Sequence, residues 1–207
     1  MTSRRKFMMK VQEYQKEYTE LEYIESTGTQ YFDSLYKPSS DTVIVLNCIC
    51  KNNYFLFGTR NAISGTAQKR FAYHMTSTKI GGLSNPQWNN TNYTQCWNVF
   101  NLQEKTTVTF GKGGFWQNGT KLLDLTGEFQ CDYTLYLFSC NTSGETSSSM
   151  GEIRLYDCKI YDSDVLIRDY IPVLDKSGKP CLYDKITKEY FYNQGTGEFL
   201  YKLKGID

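Results

Sequence analysis

Residues 151–162 read GEIRLYDCKIYD, and the spacing of the apolar residues in this run is the clearest guide to the fold. Ile153 and Leu155 lie two positions apart, so their side chains share one face of an extended strand. The next apolar pair begins at Cys158, an odd number of steps later, which places it on the other face. The pattern therefore predicts a strand with a β-bulge, or with burial on both faces, near Tyr156.

Other strand-like runs lie along the rest of the chain, and turns rather than helices separate them. Asn118-Gly119 is a strong hairpin signal, because both residues tolerate the positive φ of a type I′ turn. Residues 41–50, DTVIVLNCIC, predict a central strand that is covered on both faces. Further runs are NYFLFGTR (53–60), KRFAYHM (69–75), KTTVTFGKGGFW (105–116), CDYTLYLFSC (131–140) and CLYDKITKEYFYN (181–193). The pattern predicts an all-β fold, an antiparallel β-sandwich.

The first residues of the chain follow a different rhythm, in which apolar side chains recur at alternating steps of four and three. These residues are Phe7, Val11, Tyr14, Tyr18 and Leu21. The spacing is typical of a short amphipathic helix or coiled coil, and two heptads are too short to hold a helix alone in water. We expect a helical arm over residues 1–19, followed by the sandwich over 20–207. Three interpretations of the arm stay open: a helix packed on its own domain, an oligomerisation or anchoring arm, and a frayed end.

Two longer segments resemble a known family. They are LEYIESTGTQYFDSLYKPSSDT (21–42), followed by YFLFGTR, and the closing segment from Gly151 to Phe199, which includes KIYD, RDYIP, LYD and GTGEF. These segments are similar to the first and last strands of concanavalin A-like (LamG-type) jelly-roll domains, which are common in bacteriophage and gut-bacterial genomes. The resemblance covers roughly residues 19–200, and the middle matches only in strand rhythm. It implies two packed, curved sheets whose first and last strands lie side by side, with STGTQ (26–30) and GTG (195–197) as matching turns.

Charge and hydropathy limit the classes of partner. The chain has 23 basic and 22 acidic residues, and this near-balance argues against a nucleic-acid partner. No apolar stretch approaches the roughly 20 residues of a membrane span. The basic start lacks the apolar core, about 7–15 residues long, of a secretion signal. We therefore expect no nucleic acid, no membrane and synthesis in a cytosol.

The cysteine pattern favours buried, reduced thiols. Seven cysteines is an odd number, no CxxC pair occurs, and His74 is the only histidine, which disfavours a zinc site. Disulfides remain an alternative, although the odd number of cysteines disfavours them. The cysteines are Cys48, Cys50, Cys96, Cys131, Cys140, Cys158 and Cys181.

No carboxylate pattern fits a glycanase. Glycanases of the resembled fold carry acidic residues alternating on one strand, which places them on one face of a sheet. Glu20 with Glu22 and Asp162 with Asp164 come nearest to this spacing, but each is a pair at a strand end. These residues are expected to be solvated surface carboxylates.

Other catalytic patterns are also incomplete. Glu152 and Asp157 fall on opposite faces of a regular strand. His74 has no G-x-S-x-G elbow beside it, and GKGG (111–114) lacks the frame of a phosphate-binding loop. We expect a chain that is not an enzyme.

A binding surface is predicted instead within residues 85–98, NPQWNNTNYTQCWN, which combine aromatic and amide side chains. Flat aromatic faces bind the C–H patches of sugars, and amides bond the hydroxyls. The expected carbohydrate-binding residues are Trp88, Asn89, Asn90, Tyr93 and Trp97. The alternative is that Trp97 belongs to the core and the rest is an ordinary polar loop.

Cofactors are not expected. Several members of the wider resembled family use calcium, which needs clustered oxygen ligands. Asp33, Asp124 and Asp132 are candidates by residue type alone, and no motif supports a metal site.

The leading functional hypothesis is a non-enzymatic bacteriophage virion protein, such as a head-fibre, decoration or tail-associated subunit. The arm would anchor it to other virion proteins or to copies of itself as a trimer or dimer, and the sandwich would bind bacterial surface glycans. Two alternatives stay open: a bacterial carbohydrate-binding module, and a glycanase on the same fold.

Overall fold

The computed structural model describes residues 18–52, 54–62, 68–75, 82–92, 96–100 and 103–205, with backbone alone for 82–85, 92 and 96–100. None of these residues lies in a helix, so no membrane-spanning helix occurs among them. Their all-β character confirms the predicted class. The strands are β1 (Thr19–Glu25), β2 (Phe32–Asp33), β3 (Thr42–Cys50), β4 (Phe55–Arg60), β5 (Arg70–Met75), β6 (Gly82–Trp88), β7 (Thr91–Asn92), β8 (Cys96–Phe100), β9 (Thr106–Gly111), β10 (Gly114–Gln117), β11 (Thr120–Leu123), β12 (Tyr136–Leu137), β13 (Asn141–Thr142), β14 (Glu145–Thr146), β15 (Ile153–Asp162), β16 (Val165–Leu174), β17 (Pro180–Asp184), β18 (Tyr190–Phe191) and β19 (Leu200–Leu203).

The strands form two sheets. Sheet A has the order β11-β10-β9-β3-β15-β1-β16-β17-β18, and β19 pairs with β1. Sheet B has the order β14-β13-β4-β5-β6-β7, with β8 on β6 and with β12 between β2 and β4. The pairings are antiparallel except for β13 with β4, which is parallel. The arrangement is consistent with a β-sandwich.

The core lies between the inner faces of the two sheets. Phe110 of sheet A inserts among Phe57, Phe71 and Trp88 of sheet B, with ring centroids 5.0–5.8 Å from its own. All four rings are almost completely buried. Burial of apolar surface stabilises a fold by about 25 cal/mol per Å², so aromatic rings of this size contribute much of the adhesion between the sheets.

Two local predictions are confirmed. In β15 the register with β3 shifts between Leu155 and Asp157, so the bulge lies at Tyr156, as the spacing predicted. The bulge lets the apolar residues before and after it face the same core. Asn118 and Gly119 have φ values of 49° and 81° between β10 and β11, as expected of a type I′ turn.

The prediction that residues 41–50 are covered on both faces is wrong. The side chains of β3 alternate between buried and half-buried along its whole length. The strand is central, between β9 and β15, but only its inner face lies in the core. Val43, Val45 and Ile49 point to the outer face, where β-branched side chains suit a pleated surface whether or not a second layer covers it.

The predicted helical arm is not supported. Leu21 is a buried residue of β1, and Tyr18 precedes that strand with its ring 4.6 Å from the ring of Tyr183. The four-three spacing therefore runs into an extended strand, whose side chains follow a period of two. Phe7, Val11 and Tyr14 lie outside the described residues.

The segment 26–30 packs against the chain near the C-terminus, as the matching turns were expected to do. Thr29 Oγ1 donates to Thr196 O (2.9 Å), and Thr196 N donates to Thr29 O (3.0 Å). Gln30 Nε2 donates to Glu198 O (3.0 Å). A Cβ atom on Gly195 would lie 2.0 Å from Thr29 O, so only glycine permits this approach. Beside this contact, β1 and β19 pair as the first and last strands.

Candidate functional site

Trp88, the first of the five residues predicted to bind sugar, lies in the core. Its ring is 2% exposed and packs against Phe129, with a centroid distance of 4.8 Å and a near-perpendicular geometry. Its Nε1 donates to Thr126 O (3.0 Å). The ring therefore has a packing role and holds the segment after β11, and it offers no open face for stacking a sugar.

Asn89 and Asn90 form the turn between β6 and β7, at the rim of the same region. Asn89 has a φ of 49°, which asparagine tolerates better than most residues, and its backbone N–H donates to Arg70 O (2.8 Å). Its Nδ2 atom lies 3.3 Å from the position that a Cβ atom would occupy if Gly127 carried one. Asn90 Oδ1 accepts from the backbone N–H of Gln68 (3.3 Å). The turn thus touches two different surfaces, one beside Gly127 and one beside Gln68.

The last two predicted residues are not placed. Tyr93 lies outside the described residues. Trp97 belongs to β8, but its side chain lies outside the description. The structure therefore brings together Trp88, Asn89 and Asn90, while the prediction for the other two stays a prediction.

A cleft of about 830 Å³ opens beside the Asn89–Asn90 turn, at one end of the two sheets. We call it the end cleft. Five separate parts of the chain line it: the segment before β3, the end of β6 at Trp88, the β9–β10 turn, the segment after β11 and the β15–β16 turn. Its lining residues are Ser39, Ser40, Asp41, Trp88, Lys112, Gly113, Leu125, Thr126, Gly127, Glu128, Phe129, Gln130, Asp162 and Ser163.

Lys112 carries the positive charge of the end cleft. Its Nζ lies 3.1 Å from Asp41 Oδ1 and 3.9 Å from Asp164 Oδ2. The hydrogen bond to Asp41 and the charges of both carboxylates raise the pKa of the amine. These groups are solvent-exposed, so the ion pairs contribute little to stability. With the hydroxyls of Ser39 and Ser40, the cleft presents both donors and acceptors to a polar ligand.

The carboxylate pairs considered for catalysis occupy surface ion pairs. Glu20 Oε2 lies 2.7 Å from Lys204 Nζ, and Glu22 Oε2 lies 3.0 Å from Lys202 Nζ. Asp164 is highly exposed. Alternating carboxylates at strand ends therefore take the solvated role that the sequence predicted.

His74 is packed rather than poised for proton transfer. Its ring centroid lies 4.4 Å from that of Phe55. Burial, followed by the charge of Arg60, lowers the pKa of His74 to about 4. The imidazole is therefore neutral near pH 7, which is typical of a buried packing histidine.

Each of the three aspartates considered as calcium ligands has a different hydrogen-bond or ion-pair partner. Asp33 Oδ1 accepts from Leu35 N (2.8 Å), Asp124 pairs with Lys121 (2.6 Å) and Asp132 pairs with Lys69 (2.8 Å). Among the described residues no group of three His, Cys, Asp or Glu side chains is placed to hold a metal ion.

The cysteines whose side chains are described are buried free thiols, as predicted; Cys96 is outside that description. They are Cys48, Cys50, Cys131, Cys140, Cys158 and Cys181. Burial raises the pKa of Cys140 to about 11, so this thiol stays protonated and unreactive near pH 7.

No sequence pattern predicted the segment 125–130 and Lys112 as parts of a site. Gly127 and Gly113 mark turns in the sequence, but turn residues alone do not indicate which turns meet in space. The loops meet because β9, β3, β15 and β16 are near neighbours in sheet A, and this order is not visible in local patterns.

No model of a known protein family matches this chain, and no curated protein is similar to it in sequence.

Proposed function

We propose that this chain is a non-enzymatic structural subunit of a bacteriophage virion, in which the residues before β1 attach the chain and the β domain is displayed to bind bacterial surface glycans. The head fibre, a capsid decoration and the tail are the locations that suit such a subunit. The resemblance of residues 21–42 and 151–199 to concanavalin A-like domains supports the jelly-roll part of the proposal. An assembled dimer or trimer is part of it.

The observation that carries the proposal is that the start of β1 and the end cleft lie at opposite ends of β16. Thr19, the first residue of β1, pairs with Leu174 at the end of β16, so the described part of the chain begins there. The end cleft contains Asp162, which pairs with Val165 at the start of the same strand. An extended strand of ten residues spans about 30 Å. Attachment at one end would leave the cleft pointing away from the particle.

The roles of the buried carboxylates favour a scaffold over an enzyme. Asp184 is fully buried and accepts from the backbone N–H groups of Asp169 (2.9 Å) and Ile186 (3.0 Å). Burial tends to raise the pKa of Glu25, but hydrogen bonds from Lys51 and Arg154 outweigh it and lower that pKa. Structural partners therefore hold the Glu25 carboxylate ionised, rather than shifting it toward a proton-transfer role, and Asp184 serves as an acceptor for backbone N–H groups.

Particle composition tests the attachment. We expect the full chain to co-purify with virions in a fixed copy number, measured by quantitative mass spectrometry. Removal of residues 1–17 in the phage genome should yield particles without the chain, while the soluble chain still shows a β-type circular dichroism spectrum. Incorporation of the shortened chain at the normal copy number would contradict the proposed attachment, and absence of the full chain from particles would contradict the virion assignment.

Occlusion of the end cleft tests the display role. Thr126 is exposed on the cleft wall, so Thr126→Trp should weaken binding of the labelled full chain to host cells by about tenfold or more. Thr120→Trp is the matched control, since Thr120 is an exposed residue of β11 that does not line the cleft. Equal binding by the two variants would exclude the end cleft as a glycan site.

A further inference from the structure

A second groove, of about 510 Å³, lies where one edge of sheet A approaches sheet B. Its walls come from β2 of sheet B and from β18, the edge strand of sheet A, together with residues next to each strand. We call it the edge groove, and it shares no lining residue with the end cleft. Its lining includes Asp33, Leu35, Glu189, Tyr190, Tyr192 and Gln194.

The edge groove presents apolar surface to solvent. Leu35 is 65% exposed, and its φ of 56° is uncommon for a leucine. The backbone N–H of Leu35 donates to Asp33 Oδ1 (2.8 Å), which stabilises this conformation. The rings of Tyr190 and Tyr192 form another part of the lining, with centroids 6.3 Å apart and an interplanar angle of 29°. An exposed leucine beside tyrosine rings suits an apolar side chain of a partner.

The charged residues that line the edge groove are both acidic. Glu189 is exposed and Asp33 is half-buried, and neither carboxylate forms an ion pair with a described residue. Lys179 Nζ lies 5.1 Å from the centroid of the Tyr192 ring, so this aromatic surface already accommodates one cation. The edge groove therefore combines apolar contact with negative charge, and it fits a partner that is both apolar and basic.

A row of tyrosine rings connects the edge groove with the start of the described chain. The ring centroid of Tyr18 lies 4.6 Å from that of Tyr183, and the centroid of Tyr183 lies 5.1 Å from that of Tyr190. The described chain therefore begins within two ring contacts of the groove. An extended chain covers about 3.3–3.6 Å per residue, so residues 11–17 are long enough to cross that distance.

The sequence before Tyr18 has the composition that the groove requires. Residues 4–10 read RRKFMMK and contain four basic and three apolar side chains. The sequence from Met1 to Gln12 contains no acidic residue. Lysine and arginine pack their aliphatic stems on apolar surface and keep the charged end free for a carboxylate, and methionine adapts to irregular gaps.

We propose that residues 4–10 of this chain bind in the edge groove, with their basic groups beside Glu189 and Asp33 and an apolar side chain on Leu35. Charge complementarity and the short path from Tyr18 carry the proposal. It specifies a contact for the residues that the proposed function uses for attachment, but it holds whether or not the chain belongs to a virion.

Disulfide trapping in the full chain tests the contact. Met8→Cys with Gln194→Cys places one thiol in the segment and one on the groove, while both groove carboxylates remain. Met8→Cys with Thr120→Cys is the matched control, since Thr120 is exposed on β11, at the opposite edge of sheet A. We expect the groove pair to form a disulfide about tenfold faster or more, because binding raises the local concentration of one thiol around the other.

Non-reducing gels measure the rate, and peptide mass spectrometry identifies the bonded residues. Each single variant supplies the background rate from the chain's own thiols. A bond within one chain and a bond between two copies both place the segment in a groove, and the gel separates the two by mass.

Reversal of one charge tests the complementarity. Glu189→Lys, added to the groove pair, should slow the disulfide by about fivefold or more at low salt, because it places a positive charge beside the basic segment. Glu189 is exposed, so this variant keeps the fold, which circular dichroism checks. Glu145→Lys is the matched control on exposed β14 of sheet B and should leave the rate unchanged.

Equal rates for the groove pair and the Thr120 pair, or equal effects of the two charge reversals, would overturn the proposal. A bond between the Gln194→Cys thiols of two copies that forms as fast as the groove pair would assign the groove to a second copy's edge, and it would also overturn the proposal. None of these outcomes bears on co-purification with virions or on binding at the end cleft, so failure of this inference and failure of the proposed function are distinguishable.

Discussion

In sheet A the buried carboxylate of Asp184 accepts three hydrogen bonds, from Asp169 N, Ile186 N and Thr187 Oγ1. In sheet B the buried amide of Gln68 has none among the described residues, and Arg60 lies opposite Arg70. Both sheets bury polar groups. The buried carboxylate of Asp184 in sheet A is satisfied within the chain, although Arg168 Nε and Asp169 Oδ1 of the same sheet have no hydrogen-bond partner among the described residues. In and beside sheet B, both amide atoms of Gln68 and the Oε1 atom of Gln87 are buried without a hydrogen-bond partner among the described residues.

The difference teaches where stability and function are separated in this fold. A buried polar group that is fully bonded rigidifies the structure, whereas an unbonded one lowers stability and persists where a ligand completes it. Sheet A therefore serves as the frame.

The largest expected effect lies in sheet A. Asp184→Ala leaves the Asp169 and Ile186 N–H groups without their acceptor in a fully buried site. We expect the free energy of unfolding in urea to fall by about 3–5 kcal/mol. Asp124→Ala removes an exposed carboxylate paired with Lys121 and should change it by less than about 0.5 kcal/mol. Similar losses of unfolding free energy in Asp184→Ala and Asp124→Ala would contradict the structural role of the buried Asp184 carboxylate.

The inner face of sheet B should behave like the frame. Trp88→Phe removes ring volume and the hydrogen bond to Thr126 O, so we expect a loss of about 2 kcal/mol in unfolding free energy. Trp116 of β10 is half-exposed, with Lys121 Nζ 5.2 Å from its ring centroid, and Trp116→Phe should lose less than about 1 kcal/mol. A smaller loss for Trp88→Phe than for Trp116→Phe would contradict the packing role of Trp88.

The pH dependence of stability tests the environment of His74, on the outer face of sheet B. Burial and Arg60 lower the pKa of His74 to about 4, whereas an unfolded histidine titrates near 6.5. The unfolded chain therefore takes up a proton first as the pH falls, and stability declines from about pH 6.5 toward pH 4.

His74→Gln should remove about 1–2 kcal/mol of that decline, a figure reduced because the ring is partly exposed. Thermal unfolding at pH 7.5, 6, 5 and 4 measures it, and the values at pH 7.5 supply the baseline. A wild-type decline that the substitution leaves unchanged would show that His74 is not buried as a neutral base.

Much of the frame was predictable because its signals are local. The odd step between Leu155 and Cys158 predicted the bulge at Tyr156, and Asn118-Gly119 predicted the β10–β11 turn. Both depend on rules that act over a few residues. The four-three spacing that ends at Leu21 predicted a helix, but Leu21 lies in β1. A short run can satisfy a helical period while pairing in the sheet decides its structure.

The candidate sites were predictable only in part. The amide-rich run that includes Asn89 and Asn90 borders the end cleft, but Trp88 turned inward, and aromatic composition alone does not distinguish a core ring from a surface platform. The opposition of Arg60 and Arg70 depends on the register of β4 with β5, which their ten-residue separation does not specify.

The most direct test of the contrast between the sheets is one substitution with two readouts. Gln68→Met replaces a buried amide without partners by an apolar side chain of similar size. We expect the free energy of unfolding to rise by about 1 kcal/mol, because an unsatisfied polar group leaves the interior. Binding to host cells should stay unchanged in the same preparation, because Gln68 does not line the end cleft. A Gln68→Met variant that is less stable than the wild-type chain would contradict the account.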